Sequence, residues 1–445
     1  MTADAERNAG QRRKFGFLVR STFALISTSV VTSGLGFVYW ALAARLFPAS
    51  DVGASATAIA AMNLIAPFAL LGLGTALVSR LPTMSQQRAE LVSSAALLCG
   101  AAGGAVALVL AMVLPADFIG LPDVGRSLLP TLLFAAGVAA QGVGLMVDSA
   151  LLSVVGGGVQ FRRNAIFATA KLVLLVVFAL TLSWAGSLSI YVSWLGANLI
   201  GIAAVVIWLV RSHRIRLRRL WPAPSLLRGM PFHAARHHAL NMALQVPFFA
   251  MPIVANVTLG SEQAGYLYAT WSVASFVFVL PMALSTALFA SGARDSRSVV
   301  TELRFTLRSS LAACVVANLL ILPFGGLVLS IFGPDYAANG HTALIVLCLG
   351  ALGVIIKDHH VALARITGTV GREAVLIGSL GAVELAGAAF GAKHGGLTGL
   401  TLGWLAVVVL KALICGPTVV AAYRGRLPMK TAAPPSAGRH AVGDE

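Results

Sequence analysis

Six ionisable side chains lie inside apolar stretches of this 445-residue chain: Asp148, Lys171, Lys357, Asp358, Glu384 and Lys411. Charges in hydrocarbon-length segments are costly, so such groups bind an ionic ligand, relay a proton or neutralise one another. Their depths suggest pairs. Asp148 lies six residues from the inner end of its segment and Lys171 six from that of the next, which places both about 9 Å deep at 1.5 Å per residue. Glu384 and Lys411 lie about 15 Å deep on two consecutive segments. Lys357 and Asp358 sit at the level of the first pair. Two readings stand for these charges. One is structural ion pairing, in which removing one member is worse than replacing both; the other is a polar vestibule for an ionic substrate and a coupling proton.

Uncharged polar residues make a second group of candidates. Thr22, Ser29, Ser33 and Gly36 recur at helical spacing in the first apolar segment, and Asn241 and Gln245 stand 212 positions after Ser29 and Ser33. An amide is costly to show to lipid, so Asn241 and Gln245 are expected to line a cavity together with the two serines. The serines equally suit close helix packing. Arg45, at the outer end of the first segment, either receives an anionic group or anchors that end. The four cysteines are isolated from one another and show no metal-ligand spacing, and the pairs His237-His238 and His359-His360 are expected near the inner surface, solvated or against headgroups. No cofactor is expected.

The elements that must position these residues are membrane helices. With 58% apolar and 11% charged residues the chain cannot make a water-facing globule of this size, and a core about 30 Å thick takes roughly 20 apolar residues as helix. Twelve such runs occur, at 18–46, 53–79, 91–114, 127–154, 165–184, 188–210, 239–259, 265–290, 306–331, 341–364, 374–391 and 396–422. The first is too long for a signal-peptide core and reads as an uncleaved helix. Most of the 32 Lys and Arg fall on one side of this arrangement, with Arg45, Arg126 and Lys393 on the other. Both termini are therefore expected in the cytoplasm, with the N-terminus at 1–17, a basic linker at 211–238 and a disordered tail at 423–445. The net charge of +16 serves topology and contact with anionic membrane lipid, with no nucleic-acid partner.

An internal repeat organises the helices. Gly53 recurs as Gly265, Thr75-Ala76-Leu77 as Thr286-Ala287-Leu288, and Gly120-Leu121-Pro122-Asp123 as Gly333-Pro334-Asp335, at offsets of 212, 211 and 212. Six helices per repeat send both halves into the membrane in the same direction, so an axis along the membrane normal relates them. The expected fold is all-α, with lobes at 18–210 and 239–422 facing one cleft and alternating access by rocking. No phosphate loop of the Walker type, nucleophile elbow or His-Glu-x-x-His helix is present, and no enzymatic activity is expected.

Ala44-Arg45-Leu46, Asp51-Val52-Gly53 and Leu71-Gly72-Leu73-Gly74, together with Phe332-Gly333-Pro334-Asp335-Tyr336-Ala337, resemble motifs of oligosaccharide flippases. These belong to the multidrug/oligosaccharidyl-lipid/polysaccharide (MOP) exporter superfamily. The resemblance spans the whole chain. It implies a MATE-like bundle in a bacterial-type inner membrane and transport of a polyprenyl-pyrophosphate-linked glycan from the cytoplasmic to the outer leaflet. Glycosyltransferases or a polymerase of a glycan pathway are the implied partners. Polar residues such as Ser29, Ser33, Asn241 and Gln245 would then replace water around hydroxyls, and Lys171 or Lys357 would neutralise pyrophosphate. A drug/cation antiporter of the same superfamily shares this topology, but it calls for an unpaired carboxylate in the cleft. A non-transporting scaffold for glycan assembly would keep the fold without a working cleft.

Overall fold

The computed structural model describes residues 34–70, 73–81, 84, 87–155, 157–212, 221–227, 235–292 and 298–426. Within them the chain is all-α. The helices are α1 (Gly34–Leu46), α2 (Ala49–Ala69), α3 (Leu73–Arg80), α4 (Arg88–Val113) and the short α5 (Ala116–Ile119). They continue with α6 (Leu128–Val154), α7 (Gly157–Thr181) and α8 (Ser187–Arg211). The second half holds α9 (Ala235–Leu259), α10 (Ser261–Gly292), α11 (Val299–Ser330), α12 (Pro334–Thr367) and α13 (Val370–Tyr423). Ten of these are long and apolar enough to cross a membrane. In lipid every backbone N–H and C=O must be satisfied within the segment, and helices do this.

Helix α13 is two spans rather than one. Non-helical Gly395 and Gly396 fold its 54 residues into a hairpin. Its arms meet backbone to backbone: a Cβ at Gly391 would lie 2.0 Å from the Gly399 carbonyl oxygen, and one at Gly403 would lie 2.1 Å from that of Gly387. Small residues four apart permit this approach in membranes. The register they set carries Glu384 of one arm opposite Lys411 of the other.

Each half packs around its own core. In the first, α6 contacts α2, α4 and α8, and α7 lies on α8; in the second, α12 contacts α10, α11 and α13, and α9 lies on α13. The halves touch where α2 meets α9 and α10, and where α5 meets α9. Gly53 and Gly265, counterparts in the repeat, face each other there. A Cβ at Gly53 would fall 1.7 Å from the Ser261 carbonyl oxygen and 2.5 Å from the Gly265 nitrogen, and one at Gly265 would fall 2.4 Å from the Ala49 carbonyl oxygen. A residue that touches its own repeat counterpart lies at the axis relating the halves.

Two cross-links flank that axis, at the end of the bundle away from the C-terminus of α8 and the N-terminus of α9. Arg45 donates through Nε to the Ile331 carbonyl at 2.8 Å and through Nη2 to that of Ser330 at 2.5 Å. Asn256 Nδ2, 211 positions after Arg45, donates to the Asp117 carbonyl at 2.7 Å. Each residue reaches from the end of the first helix of its half into a turn of the opposite half, and Phe37 packs on Phe332 beside them, ring centroids 5.1 Å apart. Of the two expectations for Arg45 the anchoring one matches this geometry. Opening this end requires removing both cross-links and parting the two glycines. Accordingly, Gly53→Val is expected to raise labelling of an Ala49→Cys probe by a membrane-impermeant maleimide, in a background lacking the four native cysteines. Labelling equal to that of the glycine parent would show that the crossing tolerates a side chain.

Candidate functional site

Two adjoining cavities occupy the interior. The smaller, about 280 Å³, lies between the halves, with Gly36 and Trp40 of α1, Asn63 of α2 and Lys171 of α7 on one side and Tyr268 and Phe276 of α10 on the other. The larger, about 660 Å³, is lined among the described residues by α9, α10, α12 and α13, all of the second half. Phe248, Phe249, Trp271 and Ser275 line both and form their common wall.

Lys171 is the unusual group of the smaller cavity. It is 4% exposed, and its ammonium nitrogen lies 4.2 Å from the Trp194 ring centroid, 5.0 Å from that of Tyr39 and 5.3 Å from that of Phe167. The cage is held in place. Tyr39 donates its hydroxyl to the Ile190 carbonyl at 3.0 Å and shares a 2.8 Å hydrogen bond with Ser193, and Trp40 packs on Tyr268 across the cavity at 4.4 Å. No carboxylate lies within 4.0 Å of Lys171 among the described residues. None of the described residues lining the smaller cavity is Asp or Glu. A desolvated cation–π contact contributes roughly 2 kcal/mol, against a desolvation penalty of several kcal/mol for a buried ion. The rings therefore offset the burial in part and offer no hydrogen-bond acceptor to the ammonium donors.

The expected pairing of Asp148 with Lys171 is not found. Asp148 Oδ2 instead accepts from Arg163 Nη1 at 2.9 Å. The reason lies in where α7 starts. The apolar run begins at Ala165, but the helix begins at Gly157, so Lys171 is 14 residues in, about 21 Å, and Arg163 is six residues in. Asp148 is six residues from the end of α6, and equal depth selects Arg163. From Arg163 a polar chain crosses the first half. Nη2 donates to Asn198 Oδ1 at 2.6 Å, Asn198 Nδ2 to Gln141 Oε1 at 3.0 Å, and Gln141 Nε2 to Asn63 Oδ1 at 2.9 Å, ending at the smaller cavity.

The other expected pair is present. Glu384 and Lys411 form an ion pair across the α13 hairpin, and Trp404 Nε1 donates to the second carboxylate oxygen of Glu384 at 2.6 Å. Lys357 pairs with its neighbour Asp358 at 2.9 Å. All four side chains line the larger cavity, as do Asn241 and Gln245. The described residues around the two amides all belong to the second half; Ser29 and Ser33, expected to share their cavity, lie outside the described residues. Asn241 accepts a 2.8 Å hydrogen bond from Arg365 Nη2, and Arg365 lines the same cavity. Sequence reading passed over Arg365 because it falls just beyond the apolar run at 341–364, whereas α12 continues to Thr367.

The His359-His360 pair departs from expectation as well, whereas His237 is exposed as expected. His359 and His360 are buried; His360 Nε2 lies 2.8 Å from Glu373 Oε2 and His359 Nε2 lies 3.2 Å from Thr306 Oγ1. Helix α12 turns both toward protein neighbours rather than toward headgroups. All four cysteines are free and buried. Among the described residues no three His, Cys, Asp or Glu side chains gather as a metal site.

No family model and no curated sequence matches the chain. Solved structures do. An inward-facing multidrug-resistance MATE family transporter of the MOP superfamily superposes with a TM-score of 0.67 at 14% identity, covering 91% of this chain and 100% of that one. An outward-facing MATE transporter superposes at 0.63 with 15% identity, over 92% and 96% of the two chains. A MOP superfamily transporter from Pyrococcus furiosus, whose reverse polarity of the binding pocket suggests a different function, superposes at 0.58 with 14% identity, over 91% and 95%. The chain is a multi-pass membrane protein with the fold of MATE transporters of the MOP superfamily.

Breaking a buried ion pair orphans its partner at a cost of about 3–5 kcal/mol. Arg163→Met is therefore expected to lower the unfolding temperature of the purified protein, and adding Asp148→Asn is expected to recover most of the loss. Lys171→Met, which orphans no carboxylate, should leave that temperature at or above the parent value. Thermal unfolding in detergent distinguishes these outcomes, and recovery of the Lys171→Met protein by Asp148→Asn would contradict the pairing.

Proposed function

We propose that this protein flips a polyprenyl-pyrophosphate-linked oligosaccharide from the cytoplasmic to the outer leaflet of a bacterial-type inner membrane, for cell-surface polysaccharide synthesis. The observation that carries this reading is the sign of the charge between the halves. Lys171 stands caged and without a carboxylate partner on the wall of the inter-half cavity, and no acidic residue is among that cavity's described lining. An exporter of cationic drugs calls for the opposite polarity, an unpaired carboxylate. The intramembrane carboxylates Asp148, Asp358 and Glu384 are each ion-paired with a Lys or Arg, and Glu373 lies 2.8 Å from His360 Nε2. A pyrophosphate would supply the acceptors that the aromatic cage lacks, and the polyprenyl tail would stay in lipid.

The transport step follows from the two ends of the bundle. With the Gly53–Gly265 crossing, Arg45 and Asn256 holding the far end together, the cavities belong to a state that loads from the linker side, which we assign to the cytoplasm on the distribution of Lys and Arg. Rocking of the halves about the glycine crossing would then present the headgroup to the opposite leaflet.

The drug/cation antiporter reading keeps one argument, the multidrug assignment of several structural neighbours. Proteoliposomes separate the two. The protein is expected to move a fluorescent polyprenyl-pyrophosphate disaccharide between leaflets, and Lys171→Gln to slow that movement about ten-fold or more, the size of one lost charge-assisted contact. Protein-dependent export of a cationic dye, with the glycolipid left in place and no effect of Lys171→Gln, would establish the rival.

A further inference from the structure

The larger chamber, whose described lining comes from the second half, lies apart from Lys171, yet five charged side chains and the amides of Asn241 and Gln245 line it. Its volume of about 660 Å³ falls within the roughly 300–1,000 Å³ of pockets that enclose small ligands. Its lining includes the aromatic side chains Trp271, Phe278 and Phe289 together with the amides of Asn241 and Gln245 and the hydroxyl residues Ser285 and Thr286. Flat apolar faces beside convergent donors and acceptors suit sugar rings, whose C–H faces stack while their hydroxyls need partners. A polyprenyl tail would leave the same amides and ions unsatisfied. Trp271, on the wall common to both cavities, has a buried indole N–H with no acceptor.

Charge sharpens the assignment. Two of the three cations in the lining are neutralised within the wall, Lys357 by Asp358 and Lys411 by Glu384. The third, Arg365, has no carboxylate within 4.0 Å among the described residues. Its Nη2 reaches the Asn241 amide oxygen, its Nε is buried without a partner, and its guanidinium carbon lies 5.6 Å from the Phe289 ring centroid. A planar fork held by an amide and an aromatic face, with a donor left over, suits a carboxylate. Arg365 is eight residues from Lys357 along α12, about 12 Å, so the chamber extends well beyond the level of Lys357 toward the end bearing the linker.

We propose that the chamber within the second half is the saccharide compartment of the lipid-linked substrate, and that Arg365 there reads a carboxylated, uronic-acid-type sugar while Lys171 holds the anionic link across the Phe248–Phe249–Trp271 wall. This rests on the flippase reading. The test uses the full chain in proteoliposomes with two probes that differ in one group: a polyprenyl pyrophosphate bearing a glucose–glucuronic acid disaccharide and one bearing a glucose–glucose disaccharide. The acidic probe is expected to move about ten-fold faster. Arg365→Gln should abolish that ratio, and Arg365→Lys, which keeps the charge without the fork, should keep part of it. Equal movement of both probes by the parent protein, or a ratio that survives Arg365→Gln, would overturn the Arg365 assignment and leave the flippase reading intact. Failure to move either probe would remove the flippase reading and this inference with it.

Discussion

A charge surrounded by hydrocarbon and packed helices must be neutralised, solvated or caged, and that constraint organises the interior of this protein. Asp148 meets Arg163, Asp358 meets Lys357, and Glu384 meets Lys411 with a second bond from Trp404. In each case the ion pair lies within one half of the chain, so the halves can move relative to one another without separating buried opposite charges. Lys171 is the exception: it stands at the boundary against the rings of Tyr39, Phe167 and Trp194, with no carboxylate within 4.0 Å among the described residues.

The cohesion between the halves is of another kind. It rests on backbone approach at Gly53 and Gly265, on Arg45 and Asn256 reaching carbonyl groups across the boundary, and on ring contacts such as Phe37 with Phe332. Hydrogen bonds of this type contribute about 1 kcal/mol each and those to a charged group somewhat more, small enough for a substrate to compete with. Rigid halves with internal charge pairing, joined by a modest number of exchangeable contacts, are what rocking requires. The polar chain from Asp148 through Arg163, Asn198 and Gln141 to Asn63 runs inside one such half and ends at the cavity wall.

Which parts of this were legible in the sequence follows from the range of the interactions. The pairing of Glu384 with Lys411 could be read because the two lie at matching depth on consecutive apolar spans whose ends are marked. Asp148 was assigned the wrong partner because hydropathy marks where a chain becomes apolar, and α7 begins eight residues before that, in the polar stretch that carries Arg163. Arg365 was missed for the same reason at the far end of α12. Asn241 and Gln245 are legible as cavity residues from the cost of showing amides to lipid, and both line a chamber whose described residues belong to the second half.

Composition, span length and the 212-residue repeat by themselves determined an all-α, twelve-span architecture with two related halves, because burying backbone in lipid leaves few alternatives and a duplicated pattern implies a duplicated unit. Tertiary structure alone decided which charges meet, that Lys171 is caged by Tyr39, Phe167 and Trp194, and that Lys171 and the Asn241–Gln245 amides line adjoining cavities. The physical reason is that periodicity reports which face of a helix is apolar, whereas partner choice depends on the rotation and axial offset of neighbouring helices. Those are fixed by side-chain packing across hundreds of residues of chain, as in Arg45 with Ile331, and no local pattern encodes them.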